Sequence, residues 1–269
     1  PADAIRGGTQ GAFSDCLPQQ HPQISVGKRV FFLLDAIGNA TGEGNDREVK
    51  KGDFLLTETE KKDIFILAHK YRKFLLVLNT GGPVDLTEFG FAGNILVLSQ
   101  LGVETGHVLA DFLLGRLYPS GKLTMTWAPI AAYPSTEGFG DPNDTFYKEG
   151  IYVGYRYFET FAPEKVVYPF GFGLGYTTFK STCEAASLEK NTVKLTFSVE
   201  NTGAYKGKEV LQAYLTAPQG KLGKAKKVLC AFEKTKELAP GETTKLTLSF
   251  DIREFGSFDD LGKIKEAAF

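Results

Sequence analysis

The 269 residues contain three cysteines, one methionine and one tryptophan. Cys16, Cys183 and Cys230 are odd in number and widely spaced, and no Cys-x-x-Cys or His-x-x-x-His pair accompanies them. That pattern argues against a disulfide framework and a zinc site, and it fits a reducing, cytoplasmic compartment. A charge excess is lacking too: 31 Lys and Arg side chains face 32 Asp and Glu, for a net charge of -1. With no positive field to meet a phosphate backbone, nucleic acid is not an expected partner. Long hydrophobic runs are also missing. Val30 to Leu34 and Phe74 to Leu78 fall far short of the roughly 20 residues a bilayer-spanning helix requires, so no membrane partner is expected. The chain opens at Pro1 with neither the basic patch nor the apolar core of a signal peptide, and it is read as a fragment or a processed end.

What is abundant is glycine (30) and proline (12), the currency of turns, set among enough apolar residues for real cores. The first half alternates short apolar runs with helical patterns. Val30 to Leu34 ends in the glycine-rich stretch Gly38 to Gly44, as a buried parallel strand would. Thr57 and Glu60 form a Thr-x-x-Glu capping box, and Ile64, Leu67, Ala68 and Tyr71 continue at helical spacing, which predicts about four turns of helix. Phe74 to Leu78 and Ile95 to Leu98 read as further buried strands, and Glu104 to Leu114 as a helix stopped by Gly115. This alternation implies a largely parallel sheet covered on both faces, with ligands outside the carboxyl ends of its strands. The loops after Leu34 and Leu78 are therefore the places to look. From about Ala128 to Thr178 prolines, glycines and aromatics replace the pattern. Beyond, Val193, Leu195, Phe197 and Val199, then Leu246, Leu248 and Phe250, alternate with polar residues. With Glu209 to Thr216 and Val228 to Phe232 these predict an antiparallel β-sandwich.

Gly42-Glu43-Gly44-Asn45-Asp46-Arg47 is the chemically informative loop, because it sets a carboxylate between two glycines after the first strand. Taken alone, it is by default a solvated loop whose Asp46 and Arg47 pair locally. Other signals fail on spacing. Gly115 to Lys122 is one residue too long for a phosphate loop, with Leu123 where a magnesium-binding hydroxyl should stand, and Gly171 to Gly175 is followed by no helix. His21, His69 and His107 are isolated, so no metal or cofactor is expected. Glu104 is read as serving the helix dipole, and the aromatics between Tyr147 and Tyr168 as interdomain packing.

Taken in order, several segments resemble the later domains of glycoside hydrolase family 3, the β-glucosidase family. Gly42 to Arg47 is similar to its Gly-Glu-Gly-x-Asp-Arg loop, Asn79 to Val84 to its Asn-x-Gly-x-Pro-Val turn, and Gly102 to Gly106 to its Gly-Gln-Glu-x-Gly. Pro119 to Leu123, Glu149 to Phe158 and Tyr168 to Phe179 resemble its Pro-Ser-Gly-Lys-Leu, Glu-Gly-Ile-Tyr-Val-Gly-Tyr-Arg-Tyr and Tyr-Pro-Phe-Gly-Tyr-Gly-Leu-Ser-Tyr-Thr runs. Asn201-Thr202-Gly203, Gly207 to Val210 and Pro240 to Glu242 resemble its fibronectin type III-like domain.

The resemblance implies an α/β three-layer sandwich with a largely parallel sheet over residues 1–127, an interdomain connector over 128–180, and an all-β fibronectin type III-like sandwich over 181–269 that stops short of its last strand. It also implies a retaining β-glucosidase in which Glu43 is the general acid/base, with Asp46 and Arg47 as substrate-binding or loop-shaping residues. The nucleophile of this family lies in a (β/α)8 barrel of about 250 residues, and nothing here repeats strand and helix eight times. The implied partners are therefore a β-glucoside or oligosaccharide substrate and a separate barrel domain or chain. Self-association is left open. Two alternatives stand beside this: a non-catalytic carbohydrate-binding or scaffold fragment, and a xylosidase or arabinosidase of the same family.

Overall fold

In the computed structural model, residues 47–134, 143–144, 147–220 and 222–258 are described in full, together with the backbone of 31–35 and 264–266. The α/β part is built on a parallel sheet in the order β1-β2-β3, with β1 at Phe31–Asp35, β2 at Phe74–Leu78 and β3 at Ile95–Val97. Phe31 pairs with Phe74 and Asp35 with Leu78, while Leu76 to Leu78 pair with Ile95 to Val97, so all three strands end at one edge. β2 is central. Its unbroken apolar run suits a strand covered on both faces, and Leu76, Val77 and Leu78 are wholly buried.

Between β1 and β2 runs α1, Glu58–Lys70. Thr57 caps it as the sequence predicts: its hydroxyl accepts from the Glu60 amide at 3.2 Å, and the Glu60 carboxylate accepts from the Thr57 amide at 2.5 Å. Ile64 carries the helix into the core with Leu56, Phe74, Leu76, Leu78, Val84, Leu86, Phe89 and Trp127. After β3, a single 3-10 turn at Gly102–Glu104 opens α2, Thr105–Leu113, which ends before Gly115 at a φ of 70°.

The aromatic stretch is more ordered than its composition suggests. It holds α3, Tyr155–Phe161, a helix that sequence periodicity does not reveal. Its flanks return to the α/β part: Leu123 and Trp127 exchange backbone hydrogen bonds with Gly171, Phe172, Val167 and Tyr168 at 2.7–3.2 Å. Tyr155 stacks on Phe170 at 4.5 Å and meets Tyr214 edge-on, and its hydroxyl accepts from the Leu229 amide at 2.7 Å. Through these rings Tyr155 packs on both Phe170 and Tyr214, whereas Tyr147 is 90% exposed.

The remaining strands are antiparallel. β4 (Phe179–Glu189), β5 (Thr192–Asn201) and β8 (Thr243–Asp251) form one sheet, and β6 (Val210–Leu215) and β7 (Val228–Lys234) form another. Phe197, Val199, Leu211, Ala213, Leu238 and Leu248 fill the space between them. A short hairpin of β9 (Ser257–Phe258) with β10 (Ile264–Glu266) follows. The α/β unit with a parallel sheet and the all-β sandwich after it are the fold class the sequence implied.

Candidate functional site

The carboxyl ends of β1, β2 and β3 lie at one edge of the sheet, where the turn Asn79 to Pro83 follows β2 and the segment Gln100 to Glu104 follows β3. Glu43 and Asp46 lie outside the described residues. Arg47, the next residue, is held at two points. Its Nε donates to Asp53 Oδ1 at 2.7 Å and its Nη1 to the Pro83 carbonyl at 2.6 Å. The other Asp53 oxygen accepts from the Glu48 amide at 2.7 Å.

Asp53 is 1% exposed. Burial pushes its carboxyl up, but the Glu48 amide, the Arg47 hydrogen bond and the charges of Arg47 and Lys50 outweigh it and hold the carboxyl below the ordinary aspartate value. It is a buried carboxylate kept ionised by its partners. The local sequence makes this arrangement. Gly52, at a φ of 82°, lets Lys50 to Leu55 turn sharply, and the turn closes through the Gly52 amide on the Leu55 carbonyl at 2.8 Å. Gly82 leaves room for the guanidinium: a Cβ there would lie 2.8 Å from Arg47 Nη1. Thr80 Oγ1 steadies the same turn by donating to the Gly82 carbonyl at 2.6 Å. Two buried polar atoms at this edge, Arg47 Nη2 and Asn79 Oδ1, have no hydrogen-bond partner among the described residues.

The other candidates disperse. Glu104 stands at the start of α2 without a side-chain capping bond, is exposed, and pairs with His107 Nδ1 at 3.3 Å. His69 Nδ1 sits 2.8 Å from the Phe65 carbonyl one turn back, a local contact. Among the described residues no group of three or more His, Cys, Asp or Glu could hold a metal, and no helix is long and apolar enough to cross a membrane. Asp53 escaped the sequence reading. A lone acid after a lysine-rich turn looks solvated, and the one signal against that was its place at the head of the apolar run Phe54-Leu55-Leu56.

Residues 28–176 match the family model described as the glycosyl hydrolase family 3 C-terminal domain, and residues 209–265 match that of a fibronectin type III-like domain. The chain is similar to Beta-glucosidase A of Butyrivibrio fibrisolvens, 41% identical over 278 residues that cover 87% of this chain and 34% of that protein. A Beta-glucosidase of Ruminococcus albus is 42% identical over 232 residues, covering 84% of this chain and 24% of that one. Among solved structures, a beta-glucosidase from Paenibacillus barengoltzii superposes with a TM-score of 0.77 at 40% identity, over 81% of this chain and 25% of that chain. Beta-glucosidase 3B from Thermotoga neapolitana, in complex with glycerol, gives 0.76 at 40% identity, over 81% and 32%. The chain thus spans between 24% and 34% of the length of these relatives.

Proposed function

The chain belongs to glycosyl hydrolase family 3, and from that premise we propose that it is the acid/base-bearing part of a retaining β-glucosidase acting on terminal non-reducing β-D-glucosyl residues. A (β/α)8 barrel, outside these 269 residues, supplies the nucleophile. Retention needs two carboxyl groups about 5–5.5 Å apart across the scissile bond, one attacking the anomeric carbon and one protonating the departing oxygen. Glu43 takes the second role. It gives its proton to the leaving group and then recovers one from the water that releases the sugar. Asp46 and Arg47 shape the loop, with Asp46 available to a sugar hydroxyl. The division near residues 127 and 180 is part of the same reading, the β-sandwich serving as a brace.

The observation that carries this proposal is the similarity to beta-glucosidases along most of the chain. The strand-end geometry agrees with it, because the segment that contains Glu43 joins the end of β1 to the anchored Arg47. In the enzyme assembled with its barrel, Glu43→Gln is expected to lower kcat/KM for phenyl β-D-glucoside by about 10²- to 10⁴-fold. The 2,4-dinitrophenyl glucoside, whose leaving group departs without a proton, should be nearly spared. An unchanged rate on the phenyl glucoside would remove Glu43 from the role and make Glu104 the next carboxylate to test.

A further inference from the structure

We propose that Asp53 is a positioning residue for the acid/base step, acting through Arg47 and the Glu48 amide to fix the chain that leads out of the Glu43 loop. The inference rests on Glu43 being the acid/base. Both Asp53 oxygens are used, one on the Arg47 side chain and one on the backbone of the next residue, at 2.7 Å each. Arg47 is held a second time by the Pro83 carbonyl, at 2.6 Å, just beyond the end of β2. The Asp53 turn is itself stitched to the same connection, since the Asp85 amide donates to the Phe54 carbonyl at 2.8 Å. Residues 47 and 48 are therefore bolted to two pieces of scaffold at once: the turn that leads into α1 and the exit of β2.

Fold stability alone gives a poor account of this cluster. The pair joins a buried carboxylate to a guanidinium whose side chain is still 26% exposed, and apolar residues of similar volume commonly serve stability as well as an ion pair that carries a desolvation cost. What a buried, fully bonded carboxylate supplies instead is a fixed geometry. Glu43 is four residues before Arg47 in the chain, so the anchored backbone at 47 and 48 sets where the loop that carries the acid rejoins the scaffold. Catalysis is sensitive to such an anchor, since misplacing an acid by about 1 Å can cost on the order of 10²-fold in rate. Gly82 belongs to the device, because any side chain there would press on Arg47 Nη1.

The test compares Asp53→Asn, Gly82→Ala and Glu43→Gln in the enzyme assembled with its barrel. The readout is the ratio of kcat/KM for phenyl and 2,4-dinitrophenyl β-D-glucosides. That ratio isolates proton donation, since loss of folded enzyme lowers both substrates together. Asp53→Asn and Gly82→Ala are each expected to lower the ratio by about 10- to 100-fold, in the direction set by Glu43→Gln. A ratio lowered by Glu43→Gln and left unchanged by Asp53→Asn overturns the positioning role while sparing the acid/base reading. A ratio unmoved by Glu43→Gln overturns that reading, and the positioning role falls with it. Should Asp53→Asn fail to fold, Gly82→Ala decides alone, because it disturbs the guanidinium and leaves the carboxylate in place.

Discussion

Asn201, at the end of β5, offers the sharpest quantitative test of how the connector and the sandwich are joined. The residue is wholly buried and its amide is fully used. Nδ2 donates to the Tyr205 carbonyl at 2.7 Å and to the Leu238 carbonyl at 2.9 Å, while Oδ1 accepts from Thr177 Oγ1 at 2.7 Å and from the Gly203 amide at 3.1 Å. Two carbonyl partners on one side and two donors on the other fix the orientation of the amide. In Asn201→Ala the Leu238 carbonyl keeps the Gly207 amide at 3.1 Å, and the Thr177 hydroxyl can turn elsewhere. The Gly203 amide and the Tyr205 carbonyl lose partners in a half-buried setting that water can partly reach. At about 1–3 kcal/mol for each stranded group, weighted to the lower half, the loss should be about 2–3 kcal/mol.

Urea denaturation followed by far-UV circular dichroism measures that loss, and the fluorescence of Trp127, buried in the α/β core, reports the other unit. Asn201→Asp adds a sign. An ionised carboxylate would set an oxygen against two carbonyl oxygens, so its pKa in the folded state must rise above the ordinary value of about 3.9. Its stability should approach that of the parent chain below about pH 4 and fall as the pH rises through the raised pKa. A loss under about 1 kcal/mol in the alanine variant, or an aspartate variant that gains stability with pH, would refute the reasoning.

Further outcomes follow from the same structure. Thr57→Ala removes half of the capping box on α1 and should cost about 1 kcal/mol, read from the urea midpoint at constant slope. Ile64→Ala empties a fully buried position in the α/β core and should cost about 2–5 kcal/mol, visible as an earlier Trp127 transition. Asp53 has a depressed folded pKa, so its contribution is intact above the ordinary aspartate value and is lost as the pH falls through the depressed one. A flatter acid limb in the stability profile of Asp53→Asn checks this. Tyr118 is pushed up to about 12 by burial and by its hydrogen bond to Glu237, so Glu237→Gln should let it ionise at lower pH in an absorbance titration.

How much of this was legible in the sequence depended on whether a local pattern coincided with burial. β2 was readable to the residue because a strand covered on both faces must be apolar at every position. α1 was readable because a capping box announces its first turn. The β5 alternation gave one buried face, realised in Phe197 and Val199. β4 was invisible: its residues are almost all exposed, so no apolar period marks it. α3 was hidden for a different reason. It is seven residues long, is preceded by Gly154 at a φ of 59°, has no side-chain cap, and draws its order from rings packed on either side. The Gly-Glu-Gly loop was legible only as a resemblance. Asp53 left only a faint trace, its place before the apolar run Phe54-Leu55-Leu56, since its bonding depends on the Arg47 side chain, itself held by the distant turn at Pro83.

We propose that these residues carry the acid/base of a glucosidase whose nucleophile lies in a separate barrel. Trapping the glycosyl-enzyme answers it most directly: the assembled enzyme is inactivated with 2,4-dinitrophenyl 2-deoxy-2-fluoro-β-D-glucoside, and the label is located by peptide mass spectrometry. With Glu43 as acid/base and the nucleophile in a barrel, the expected product is a fluoroglucosyl ester on a carboxylate of the barrel and none within these 269 residues. A label on any carboxylate of this chain would place the nucleophile within it and contradict the division of roles.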